Sequence, residues 1–104
     1  MKVFISQPMN CKTEEEILKT REEAVRKVED QYRRKVEVLN SYFTDYDPKT
    51  GSVPLKYLAK SLEALADADL AYFCKGFDKA RGCWIEYECA KAYGIETMVS
   101  IVGG

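Results

Sequence analysis

Glu86 is the residue around which chemistry can be built in this chain. It follows an apolar run, Leu70 to Phe73, and then a loop, Lys75 to Gly82, that mixes glycine, acid and base. A helix begins near Arg81 and carries Glu86 close to its start. A carboxylate just past the C-terminal end of a parallel strand lies where open α/β sheets bind ligands. The chain has no histidine, which excludes Ser-His and Cys-His nucleophile pairs and leaves acid–base work to Asp, Glu, Tyr or Lys.

Around Glu86 the same loop offers Lys79 and Arg81. With Lys12 from the first loop, they could bind a phosphate, helped by Gly82 and the helix amides behind it. Surface charge with no ligand is the plainer account of each. Gly76 permits close backbone approach or a positive φ, and Phe77 beside it is counted with the ligand-facing residues. Tyr42 and Phe43, in the stretch Asn40 to Pro54, could stack on a planar ligand. Alternatively, these aromatics pin the loop to the body of the protein.

The elements that must position these groups are readable from patterning. Lys2 to Ser6 is a short apolar run suited to a central strand, broken by Gln7-Pro8-Met9-Asn10. Thr13 followed by Glu16 is a capping-box signature. Ile17, Leu18, Ala24, Val25, Val28 and Tyr32 then recur at helical spacing, with Glu22–Arg26, Glu23–Lys27 and Glu29–Arg33 as supporting pairs at i+4. Val36 to Leu39 is a second strand. Pro54 opens a second helix whose stripe is Leu55, Leu58, Ala59, Leu62, Leu65 and Ala66. Leu70 to Phe73 is the third strand and Ile95 to Val102 the fourth, with no internal repeat or linker. The crossovers suit right-handed βαβ units. A single domain over 1–104 is therefore expected: a three-layer, flavodoxin- or Rossmann-like α/β sandwich with a parallel sheet of order 2-1-3-4. Ser6 to Asn10, with Ser6, Gln7, Pro8 and Met9 as the candidate contacts, would then face Cys74 to Gly82 across one crevice.

Composition narrows the function classes. A formal net charge of −1 argues against a polymeric nucleic acid as partner, since neutralising phosphates needs an excess of Lys and Arg. The apolar run at the N-terminus is too short for a signal peptide or a membrane span, so a cytoplasmic protein without a membrane partner is expected. Its four cysteines should then be reduced thiols. They show no CxxC spacing, and with no histidine a zinc site is not expected. Cys11 and Cys74 follow strands that should be neighbours.

Two short motifs carry a resemblance. The Phe4-Ile5-Ser6-Gln7-Pro8-Met9 strand and turn is similar to the opening of the nucleoside 2-deoxyribosyltransferase-like proteins. So is the run of strand, glycine-containing loop and Glu86, followed eight residues on by Gly94. The stretch from Arg81-Gly82-Cys83 to Ala90-Lys91-Ala92-Tyr93-Gly94-Ile95 looks closest to small phage and bacterial members of that superfamily. In element order the resemblance covers nearly the whole chain. It implies deoxyribosyl transfer or N-glycosidic hydrolysis on a nucleoside or nucleotide, without cofactor or metal. Glu86 would attack the anomeric carbon, a role that suits an oxocarbenium-like transition state. The first turn of a helix should keep such a carboxylate ionised, although serving the helix dipole alone would explain Glu86 equally simply. Family members assemble as dimers or larger homo-oligomers in which a neighbour completes the pocket, and Trp84 is either core or part of such a contact.

The chain departs from the family at one point. The loop aspartate commonly lies six residues before the glutamate, where this chain has Ala80. The nearest candidate, Asp78, lies eight before. That gap motivates an alternative, a non-catalytic binder of a nucleotide or nucleotide-derived signal in the same pocket. A purely structural phage or host-interaction protein is a third reading.

Overall fold

The computed structural model describes residues 1–100. Its elements are β1 (Lys2–Ser6), α1 (Glu14–Tyr32), β2 (Glu37–Val38), α2 (Val53–Leu65), β3 (Leu70–Phe73), α3 (Arg81–Ala92) and β4 (Glu96–Val99). A single 3-10 turn, Phe77–Lys79, joins β3 to α3. All strand pairs are parallel and the order is β2-β1-β3-β4, as the crossover argument requires. The fourth strand is shorter than the apolar run Ile95 to Val102, whose last two residues lie outside the described residues.

Alternation along the central strands splits the core in two. Val3, Ile5, Leu70, Tyr72 and Cys74 pack against Ala24 and Val28 of α1. Phe4, Ala71 and Phe73 point the other way, against Leu65 of α2 and Ala90 of α3. Register locks the faces together, with Val3 opposite Leu70 and Ile5 opposite Tyr72. A slip of one residue would send every one of these side chains to the wrong layer. The result is α1 on one face and α2 with α3 on the other, so connections leave β1 and β3 towards opposite faces and open a crevice between their ends.

Local chemistry sets the helix ends. Thr13 accepts from the Glu16 amide at 3.1 Å, and Glu16 accepts from the Thr13 amide at 3.2 Å, a complete capping box. The Thr13 amide and hydroxyl, donating to the Glu16 carboxyl, also hold it below its ordinary pKa. Thr13→Ala is expected to lower stability by about 1 kcal/mol, read as a shifted urea midpoint at unchanged slope; an unshifted midpoint would show the box to be idle. Gly94, at φ +73°, ends α3 in the left-handed conformation that glycine adopts without strain.

Helical periodicity overstated burial in two places. Leu18 of α1 is 46% exposed, and of the α2 stripe only Leu65 is buried, Leu55 being 61% exposed. The reason is geometric: the N-terminal half of α2 walls the crevice instead of the sheet, so Leu55 and Leu58 face an opening. None of the three expected i+4 pairs on α1 closes to an ion pair among the described residues. Glu29 instead approaches Lys35 at 3.8 Å and accepts from the Val36 amide at 3.1 Å. No helix among the described residues is long and apolar enough to cross a membrane.

Candidate active site

The crevice at the end of β1, walled by the loop after β2, by α2 and by the start of α3, has a volume of about 1080 Å³, at the upper end of the range for small-molecule pockets, about 300–1,000 Å³. Glu86 lies in its wall and is only 7% exposed. The Ser6 hydroxyl, at the end of β1, donates to Glu86 Oε1 at 2.6 Å, and Ser61 of α2 lines the same crevice, its hydroxyl favouring the charged carboxyl. Three elements thus meet around one carboxyl group.

Electrostatically Glu86 departs from the expectation of an ionised first-turn acid. It is the sixth residue of α3, beyond the free amides that favour negative charge. Burial dominates and pushes its pKa up to about 7, against the lowering effect of the two hydroxyls. At neutral pH the group exists in both protonation states, which suits it to give, take or share a proton. It is also the sole carboxyl lining the crevice among the described residues.

The positive rim is present as expected in part. Lys79, Arg81 and Gly82 line the crevice, and α3 is preceded by Ala80 at the N-cap, which supplies no side-chain cap. Its first amides are therefore available to an anion. A Cβ built on Gly82 meets nothing within 4 Å, so the glycine relieves no crowding and the space above the first turn is open.

Pro8, Met9, Tyr42 and Phe43 also line the crevice. The two accounts of the aromatics both have substance. Lys60 sits 5.3 Å from the Phe43 ring and 5.0 Å from the Tyr46 ring. Tyr46 packs edge-on against Tyr57 at 5.0 Å, and the Tyr57 hydroxyl donates to the Tyr46 carbonyl. This half of the loop is pinned to α2, while Tyr42 and Phe43 still present themselves to the crevice.

Gln7 lines the crevice, but both ends of its amide are engaged. Its Oε1 accepts from Arg21 at 3.0 Å and its Nε2 donates to the Ile17 carbonyl at 3.1 Å. The same Arg21 nitrogen donates to Ser41 Oγ at 3.0 Å, and Ser41 in turn donates to the Ile5 carbonyl at 2.7 Å. Gln7 therefore acts as a latch between β1 and α1 rather than a free contact for substrate.

Four expected site residues lie elsewhere. Lys12 and Gly76 line a separate cavity on the α1 side of the sheet; Gly76, at φ +87°, turns the chain where a Cβ would stand 3.5 Å from Pro8. Phe77 packs with Phe73, Trp84 and Tyr87 at centroid distances of 5.5, 6.3 and 5.1 Å, because the 3-10 turn directs it onto α3. Asp78, on the same turn, is exposed and lines neither cavity, so it has no place beside Glu86. Trp84, 41% exposed, is not core.

Sequence patterning missed Tyr57 and Ser61, which share a crevice-facing stripe at i,i+4 on α2. A hydroxyl breaking into the apolar face was the available signal. Arg21 and Ser41 carried none. All four cysteines are free, Cys11 exposed and Cys74 buried. Burial pushes Cys74 up to about 12 and Cys83 up to about 11, which leaves them as packing thiols. Comparison with known protein families, curated proteins and solved structures yields no match, so the functional reading rests on the site itself.

Proposed function

We propose that the crevice binds a nucleoside or nucleotide and that Glu86 opens its N-glycosidic bond, as the resemblance to the deoxyribosyltransferase-like proteins implies. The observation that supports this reading is a buried carboxyl, held by the Ser6 hydroxyl at 2.6 Å, in a crevice that Tyr42, Phe43, Lys79 and Arg81 also line. Tyr42 and Phe43 would take the base, Lys79, Arg81 and the uncapped α3 amides an anionic group, and Glu86 the sugar between them. In the step itself, an ionised Glu86 oxygen bonds to the anomeric carbon as the carbon–nitrogen bond breaks. The base leaves with the electron pair and takes a proton from water. Water or an acceptor base then attacks the same carbon, and the Glu86 carboxylate departs.

The experiment is chromatography of a panel of deoxynucleosides and deoxynucleotides after incubation with the protein. Release of free base from at least one member is expected; release from none overturns the enzymatic reading. One observation favours the alternative of a non-catalytic binder. Glycoside-cleaving sites generally use a pair of carboxyls, whereas Asp78 stands outside this crevice and Ala80 occupies the family's aspartate position. Calorimetric binding of a nucleotide that is recovered intact would establish that alternative.

A further inference from the structure

A second cavity, of about 690 Å³, lies on the α1 side of the sheet. It shares Gln7, Pro8, Asn10, Lys79 and Ala80 with the crevice, so these residues form a wall between the two. Four lysines line it: Lys12 before α1, Lys27 on α1, and Lys75 and Lys79 on the loop after β3. The acids in its lining are Glu16 and Glu23, and Glu16 is already committed to the capping box with Thr13. Among the described residues none of the four lysines has an acid within ion-pair distance.

Lysines on a solvated surface ordinarily interleave with acids and repel one another weakly. Here they come from three segments of the chain and converge on one concave volume, where two acids stand against four lysines and a bound anion would relieve the remaining repulsion. The cavity also differs from the crevice in what it lacks. Its one aromatic, Tyr72, is 2% exposed and belongs to the core, so no ring face is available to stack on a base. Several ammonium groups without a stacking platform select a multiply charged, compact anion, and lysine binds phosphate oxygens as a point charge.

We propose that this cavity binds a chain of two or more linked phosphates. Such a chain can come from inorganic polyphosphate or from a nucleotide. In the second case, which rests on the nucleotide reading of the crevice, the phosphates cross the Pro8–Ala80 wall while sugar and base stay beside Glu86.

The test uses inorganic tripolyphosphate as probe, titrated calorimetrically at low ionic strength into the wild type and into Lys12→Glu, Lys27→Glu and Lys75→Glu. These lysines are exposed, so the fold should tolerate the changes, checked by unchanged thermal midpoints. Lys79 is left alone because it also lines the crevice. Wild-type binding is expected to weaken on the order of fivefold with each reversal and to disappear in the triple variant. No binding at millimolar tripolyphosphate, or equal affinity in the triple variant, overturns the proposal. A nucleoside triphosphate that outbinds its monophosphate only while the lysines are intact identifies the nucleotide as the source; tripolyphosphate binding without that advantage identifies the inorganic chain. Because tripolyphosphate has no base or sugar, its binding can stand when base release fails, and the reverse.

Discussion

Glu86→Gln is expected to reduce base release on the order of 10⁴-fold or more, the scale seen when a nucleophile is removed from an enzyme, while ligand affinity stays within a few-fold. The substitution keeps volume and shape. It also keeps an oxygen for the Ser6 hydroxyl that now donates at 2.6 Å, so the crevice should retain its form. Glu86→Ala is the poorer test, because it would leave a void and strand the buried Ser6 hydroxyl that donates to the carboxyl.

The wild type supplies an independent check through its pH profile. Only the ionised carboxyl can attack, and burial sets its midpoint at about 7. Hence kcat/KM for base release should rise with pH and level off above about 7, reporting the free protein's Glu86. A profile that falls over this range would make Glu86 a proton donor and remove it as nucleophile. Undiminished release by Glu86→Gln would move the chemistry to another residue altogether.

How much of this was legible beforehand differs from residue to residue. The strand order followed from the lengths of the crossovers and the buried runs at Lys2 to Ser6 and Leu70 to Phe73, because burial on both faces leaves a compositional trace. The Thr13–Glu16 box was legible because it is wholly local. Glu86 was legible as a residue of the crevice wall, since a helix that follows a strand in this topology starts beside the crevice. Its charge state was not. Helix position can be counted along the chain, but burial depends on Ser6, eighty residues away, and on the depth at which α2 lies over it.

The same distinction accounts for the misplaced residues. Lys12 and Gly76 were assigned to the crevice because their loops adjoin it, but each loop has two sides and the wall of Pro8 and Ala80 separates them. Phe77 and Asp78 depend on a three-residue turn whose direction no periodicity encodes. Arg21 carries no local signal at all, yet it holds both Gln7 and Ser41. A side chain's role at a site is set by tertiary contacts that patterning does not carry.

The buried carboxyl also has a measurable consequence for stability, separate from catalysis. Its pKa rises on folding from 4.5 to about 7, so between these values the native state holds a proton that the unfolded chain has released. Stability must then fall as pH rises through that window, the contribution being complete below about 4.5 and lost above about 7. The size of the loss is on the order of 3 kcal/mol, from about 1.4 kcal/mol for each pKa unit. Other carboxylates titrate nearby, so the quantity to measure is the difference in unfolding free energy between Glu86→Gln and the wild type, by urea denaturation across this range. Glutamine cannot ionise. The difference should therefore be flat at the acid end, shift in favour of the variant with rising pH, and flatten again above neutrality. A difference independent of pH would mean that the crevice solvates the Glu86 carboxylate as well as water does. In the predicted case, a bound cation or a sugar hydroxyl that satisfies the carboxylate should recover part of the lost stability above pH 7, so that ligand binding and the ionisation needed for attack favour each other.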